Sequence, residues 1–440
     1  MRRDVLLLQG PIGPFFNRFA NELEDRDFAV HKVNLNGGDK FFYRRAGAVD
    51  YTGELDHWGA FLERFIINNK IGRLYLFGDC RAYHRIAKQV AEANNVRIFV
   101  FEEGYIRPNF ITLEENGVNG YSSMLRKGLV IPKNNAKAFD ESESPKHIFL
   151  LTAIYSMIYY WASALSNKRF PHYHHHRAFS WLPEGWRWVV SGMRKIRYER
   201  REKEVLNKLL PEFSNNYFVC PLQVHCDMQV VVHSDYNSIE HFIGDVLTSF
   251  ARYAPKNKAL VLKHHPMDRG YTDYTNLLDN LISELGMQGR VFYVHDVCLP
   301  TLLRNAQGTV LINSTVGMSS LFHGTPVKTL GKAIYDLPGI TSDASLKRFW
   351  KNRETVDVKA FVNFREFLIN RNQINGNLYR AVSSVSTAGL IWSEGLDTEH
   401  RYIPDRQEFQ EGQVMLRVVG GLDVDPPSKQ RKDDDAAAAA

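Results

Sequence analysis

Cysteine is scarce in this 440-residue chain: Cys80, Cys220, Cys226 and Cys298 are its four, and no paired spacing among them repeats. That usage fits a reducing compartment rather than a secreted disulfide scaffold. Cys220 and Cys226 flank His225, but the gap matches no zinc pattern, so ordinary buried thiols are expected. Neither G-x-x-x-x-G-K-[ST] nor G-x-G-x-x-G occurs, which sets aside a P-loop NTPase and a dinucleotide site. No repeat recurs at solenoid spacing. Long apolar runs are equally few. Near the N-terminus only residues 5–8 are strongly apolar before Gln9 and Gly10, too short a run for a signal peptide, so a cytoplasmic protein is expected. Charge of one sign is also nearly lacking: 55 Lys and Arg stand against 49 Asp and Glu, too small an excess for a nucleic-acid coat.

What is present is an alternation of strand and helix. Apolar runs at 5–9, 28–34, 73–77 and 97–101 alternate with helical patterns at 15–24, 58–69 and 81–94. The pattern returns at 217–221, 259–263, 290–293, 310–312 and 327–330, with helices at 239–253, 274–285, 299–304 and 319–323 between them. Such alternation predicts two doubly wound α/β halves, with functional loops at the carboxyl ends of their strands. The expected division is 1–140, 141–210, 211–350, a helical extension at 351–423 and a disordered tail at 424–440.

The middle segment differs in kind. Residues 148–165 form an 18-residue run without a charge, at the lower length limit for a membrane span. Its Tyr, Ser and Thr content, and its being single, argue against spanning; a core or interdomain helix and a helix lying in the bilayer interface both fit. Between 167 and 203 there are ten Lys and Arg against three acidic residues, a local +7 that leaves 45 against 46 elsewhere. The basic stretch is interleaved with Phe170, Trp181, Trp186, Trp188 and Tyr198, an apolar and basic pairing suited to an anionic leaflet. Crowded histidines at 172–176 are a poor metal site and extend this basic surface.

In the second half, the strand 259–263 ends in Lys263, His264 and His265. The strand 310–312 ends in Asn313, Ser314 and Thr315 before a helix of small residues. Free N–H groups and the dipole at that helix start, with two hydroxyls, suit an anion, and the two loops are expected to converge from adjacent strand ends on one phosphate. In the first half the adjacent pair Glu102 and Glu103 ends a strand, so the two carboxylates should point to opposite faces. Asp79 ends another strand and, with Arg81 and His84, is a candidate to activate an acceptor hydroxyl; capping the next helix is the alternative.

Six motifs in order, QGPIGPFF (9–16), FEEGYIRP (101–108), HYHHHR (172–177), PLQV (221–224), KHHPMDR (263–269) and NSTVG (313–317), resemble the capsule polysaccharide biosynthesis family of the KpsS/LipB type over residues 5–350. The resemblance implies a GT-B-like α/β fold: two Rossmann-type domains facing a cleft, with a helical membrane-associating insertion between them. It further implies a cytoplasmic enzyme, peripheral on the inner membrane, that moves Kdo from CMP-β-Kdo to lyso-phosphatidylglycerol. That step would start the linker of a capsular polysaccharide. The implied partners are this donor, an anionic phospholipid, the membrane surface and other capsule biosynthesis and export proteins, with no nucleic acid.

Carried over by motif, Glu103 is the nucleophile of a retaining double displacement; related β-Kdo transferases have Glu-Asp-Gly, so this chain has Glu where they have Asp. Glu102 and Asp79 are further catalytic candidates. Arg107 is expected to pair with the donor carboxylate. The base is expected at His295 and Asp296, and the acceptor at Gln9, Gly10, Arg81 and His84. With Lys263, His265 and the helix dipole stabilising departing CMP, no metal or other cofactor is expected. Another nucleotide sugar, such as CMP-sialate or a UDP-sugar, another glycan acceptor, or a non-catalytic assembly or export role would share the same fold.

Overall fold

A computed structural model describes residues 4–107, 110–125, 131, 148–174, 181–352 and 354–380. The chain divides into two compact units, the first running to Trp181 and resuming at Arg365, the second spanning Leu182–Phe364.

The first unit contains β1 (Asp4–Leu7), α1 (Phe15–Glu24), β2 (Val30–Asn34), α2 (Gly37–Phe42), β3 (Ala48–Asp50), α3 (Leu55–Asn68), β4 (Ile71–Phe77), α4 (Ala82–Ala93), β5 (Arg97–Glu103), β6 (Phe110–Glu115) and α5 (Ile148–Leu165). The second contains α6 (Trp181–Phe213), β7 (Tyr217–Pro221), α7 (Met228–His233), α8 (Ile239–Tyr253), β8 (Ala259–Lys263), α9 (Thr275–Glu284), β9 (Val291–Val294), α10 (Leu299–Arg304), β10 (Gly308–Leu311), α11 (Val316–Phe322), β11 (Val327–Thr329) and α12 (Leu346–Phe349). The chain then runs through α13 (Val358–Arg371) to β12 (Gln373–Asn375), which pairs antiparallel with β6 and so belongs to the first sheet.

The first sheet has the order β12-β6-β5-β4-β1-β2-β3, parallel from β5 to β3 and antiparallel at β6 and β12. The second, β11-β10-β7-β8-β9, is parallel throughout. In each, the first strand lies where the order reverses: β1 between β2 and β4, β7 between β8 and β10. Two doubly wound halves, as the alternation predicts, are present. In such sheets ligands bind outside the carboxyl ends of the strands, at the reversal.

Helices cover both faces of a parallel sheet, so its strands are apolar on both sides; β7 and β8 are buried at every residue. The helices instead show one buried face. In α8 the Ser238 side chain accepts from His241 N, and Ile239, Phe242, Ile243, Val246, Leu247 and Phe250 are buried. Each such side chain contributes about 1.5–3 kcal/mol on burial.

The uncharged run folds as α5 and docks on α2. A Cβ on Gly37 would lie 2.3 Å from Ala162 O and one on Gly38 2.4 Å from the Tyr159 ring, so the glycine pair permits the approach. The opposite side of α5 is apolar and uncovered: Leu150, Ile154, Met157, Trp161 and Leu165 are 42–82% exposed. No helix among the described residues is long and apolar enough to cross a membrane. Pro108, residues 175–180, the side chains of residues 181–189 and the whole of 381–440 lie outside the described residues, including the histidine tract from 175 onward, Arg177, the three tryptophans of the basic stretch and the 424–440 tail.

Candidate functional site

β5 runs two residues further than the apolar pattern suggests and ends in the carboxylate pair. Glu102 and Glu103 face opposite sides of the sheet. Glu103 Oε1 accepts a 2.8 Å hydrogen bond from the Tyr379 hydroxyl, and burial, with Glu103 alongside, holds the proton on that phenol. Glu102 Oε1 accepts from the Glu103 amide at 3.0 Å and Oε2 from Asn119 at 3.5 Å. Burial, together with the neighbouring Glu103 and Asp79 charges, pushes the Glu102 carboxyl up to about 7. Gly104 follows because a Cβ there would lie 2.1 Å from Phe110 O, where the chain turns into β6. The turn is fixed from the far end of the chain: Gln373 Oε1 accepts from Tyr105 N at 2.9 Å. Arg107 is exposed and donates from Nε to Gly104 O at 3.3 Å.

At the order reversal, Gln9 follows β1 and is buried in a polar cluster. It donates to the Tyr159 and Tyr173 hydroxyls at 3.0 and 2.9 Å and accepts from Arg81 at 2.8 Å. Gly10 packs against Phe16, whose ring a Cβ would meet at 2.8 Å. Asp79, after β4, is buried, pairs with Lys88 at 3.1 Å and accepts the Val118 amide at 3.4 Å; α4 starts after Arg81 with no side-chain cap, so Asp79 does not cap it. His84 is fully buried and donates from Nδ1 to Gly78 O at 2.6 Å, fixing a turn where Gly78 has φ +66°. Burial, with Arg81 beside it, drives the His84 pKa down to about 3, so the imidazole stays neutral. It therefore positions the turn that carries Asp79. All four cysteines are free thiols, and burial followed by Asp79 pushes Cys80 up to about 12.

In the second unit Lys263 ends β8 and donates to His295 O at 2.7 Å. Burial lowers its pKa, with Asp296 and Glu202 acting in the opposite direction. His264 is buried against the Tyr293 hydroxyl, and burial takes its pKa down to about 4. His265 lies further out and its Nδ1 accepts from Met267 N at 3.2 Å. β7 lies between β8 and β10, so the two loops read as coming from adjacent strand ends instead flank the end of β7. Gln223, just past β7, fills that gap: it donates to Asn313 Oδ1 at 3.0 Å and accepts from Asn313 N at 3.4 Å. Ser314 Oγ accepts from Val316 N at 3.2 Å, and Thr315 begins α11 without a side-chain cap.

α6 supplies what the sequence reading missed. Glu202 is buried and accepts from the amides of His295 at 2.5 Å and Asp296 at 2.7 Å, and from His295 Nδ1 at 3.1 Å. Burial opposes its charge, but these hydrogen bonds hold its carboxyl below the usual range. Tyr198, one turn earlier, stacks on His295 with centroids 3.7 Å apart. Arg269 pairs with Asp296, and burial raises the Asp296 pKa against that pairing. The four-residue spacing of Tyr198 and Glu202 was the available signal, masked by the surrounding positive charge. His225 Nδ1 and the buried Asp268 approach to 2.5 Å, a second pairing the motifs did not announce.

The capsule polysaccharide biosynthesis protein family matches residues 73–379, a stretch that takes in β12 and Tyr379, and the chain belongs to that family. It is 39% identical over 377 residues to the capsule polysaccharide export protein KpsS of Escherichia coli, covering 86% of this chain and 97% of that one. To the capsule polysaccharide modification protein LipB of Neisseria meningitidis serogroup B it is 39% identical over 386 residues, 86% of this chain and 92% of that one. The solved β-Kdo 2,7 transferase KpsC of Thermosulfurimonas dismutans matches 82% of this chain and 89% of its own at TM-score 0.39 and 16% identity, a loose likeness.

Proposed function

We propose that this chain is a retaining glycosyltransferase that moves Kdo from CMP-β-Kdo to lyso-phosphatidylglycerol, the first step of a capsular polysaccharide linker. The observation that carries the reading is Glu103 at a strand's carboxyl end, its carboxylate held by a phenol and followed by an obligatory glycine. Family membership and a second doubly wound sheet with its own polar strand ends support it.

In this reading a Glu103 oxygen attacks the anomeric carbon of Kdo while the bond to the CMP phosphate breaks, and CMP leaves with the electron pair. The acceptor hydroxyl then loses its proton and displaces Glu103, so two inversions give retention. Tyr379 keeps the carboxylate oriented without taking its charge. Glu102, with a pKa near neutrality, is suited to exchange a proton at the same strand end, whereas Asp79 is committed to Lys88. CMP falls to the second unit, where Lys263, His265, Asn313, Ser314 and Thr315 serve the phosphate and the loop at His295 and Asp296 serves the base, with Arg107 for the donor carboxylate. Gln9, Gly10 and Arg81 serve the acceptor. The uncovered apolar face of α5 and the basic surface of α6 seat the protein on an anionic leaflet.

The test is to incubate pure protein with lyso-phosphatidylglycerol and CMP-Kdo supplied continuously by an active synthase, and to follow the lipid by mass. A gain of one Kdo supports the reading. An unmodified lipid under confirmed donor supply contradicts it.

A further inference from the structure

Lys32 sits at the middle of strand β2 and is only 2% exposed. Its ammonium has three donors. One goes to Val33 O at 2.8 Å, and the nitrogen lies over the Tyr43 ring at 5.9 Å; it forms no salt bridge with any described residue. The two acids that act on it are engaged elsewhere. Asp39 accepts from Leu35 N at 3.1 Å, the Tyr159 hydroxyl at 3.1 Å and Gln9 at 3.4 Å; Asp50 is paired with Lys40 and Arg169. Burying an ammonium without a direct salt bridge is costly, and burial lowers the Lys32 pKa to about 8 although Asp39 and Asp50 act in the opposite direction.

This side chain lines an open pocket at the carboxyl ends of β1 and β2, between Gly10, Phe16, Tyr43 and Tyr159. Three glycines shape the walls. Gly10 and Gly38 have no room for a Cβ against Phe16 and Tyr159, and Gly13 has φ +114° with Tyr155 of α5 across it. The pocket thus offers one buried cation, hydroxyl partners in Asp39 and Tyr159, carbon-rich walls, and a flank on α5, whose far face is apolar and exposed. That combination matches a small, singly charged head bearing hydroxyls and joined to a hydrocarbon chain.

Resting on the acceptor reading above, we propose that this pocket is the acceptor head-group site, in which Lys32 binds the phosphate of a glycerophosphate ester. A phosphate at contact distance adds counter-charge to that of Asp39 and Asp50, so its binding favours the protonated lysine that burial disfavours. Lys32 touches the acceptor's phosphate rather than the reacting atoms and is a specificity determinant.

The test compares binding to the full chain, by calorimetry, of lyso-phosphatidylglycerol below its micelle concentration, of monoacylglycerol and of glycerophosphoglycerol, which separates the lipid from its free head group. Wild type should bind the lysolipid about tenfold or more tighter than monoacylglycerol. Glycerophosphoglycerol should compete with the lysolipid. Lys32→Met, checked by thermal melting, should lose that preference and bind both lipids alike. Should this variant fail to fold, the ammonium NMR signal of Lys32 in wild type decides: it should move on adding lysolipid and stay put with monoacylglycerol. An undiminished preference in Lys32→Met, or an unmoved signal, overturns the proposal. Failure of the transferase reading looks different: the lysolipid binds at Lys32 and acquires no Kdo.

Discussion

The Tyr379 hydroxyl donates a 2.8 Å hydrogen bond to Oε1 of Glu103, across 276 positions of sequence. It gets there because β12 pairs with β6, next to the strand that ends in Glu103, and returns the C-terminal segment to the first sheet. Removing a hydrogen bond to a charged group costs about 1.5–3 kcal/mol, so Tyr379→Phe should lower kcat about ten- to a hundredfold while KM for CMP-Kdo stays within about twofold. Steady-state kinetics of a variant that melts normally checks this.

Glu102 makes stability depend on pH. Its folded pKa, about 7, lies above the ordinary glutamate value of 4.5, so the native state holds a proton that the unfolded chain has released in that window. The stabilising effect is full below about 4.5 and is lost as pH rises through about 7. Glu102→Gln should match wild type at pH 5 and exceed it by about 2 kcal/mol at pH 8, partial exposure having been allowed for. Urea melts at the two values give the difference.

Glu202 ties α6 to the loop at His295 and Asp296, whose two amides it accepts. Glu202→Ala leaves those buried amides unpaired, at about 1–3 kcal/mol each. KM for CMP-Kdo should rise about tenfold or more, with the lysolipid KM unchanged. Kinetics varying each substrate in turn separates this from general loss of fold.

Membrane seating divides between two helices. Met157→Asp with Trp161→Asp should abolish sedimentation with anionic vesicles and leave activity on detergent-dispersed lysolipid intact. Lys195, Arg197, Arg200 and Arg201 changed together to Gln should weaken sedimentation chiefly at low salt. Arg194 is left in place because it donates to Arg269 O at 2.7 Å.

Elements with strong local periodicity were legible. α1, α8, α10 and β7 fall at the expected residues. α2 was not foreseen because it opens on Gly37 and Gly38, which disfavour a helix and are explained only by the close approach of α5. β3 and β12 are three residues each and exist through their partners. The same limit governed the site. Strand-end carboxylates could be read from Glu102 and Glu103 in place, whereas Tyr379, Gln223 and Glu202 acquire meaning only from residues brought to them by the fold. His84 looked like acid–base chemistry, and complete burial makes it a neutral support for the turn at Gly78 instead.

The most direct measurement is the intact mass of the protein after incubation with CMP-Kdo alone and rapid denaturation. A mass gain of one Kdo, mapped to the peptide carrying Glu103 and lost in Glu103→Gln, is the predicted result. An unmodified wild-type protein that nevertheless transfers Kdo to lipid, or an adduct that persists in Glu103→Gln, would contradict the assignment of Glu103 as nucleophile.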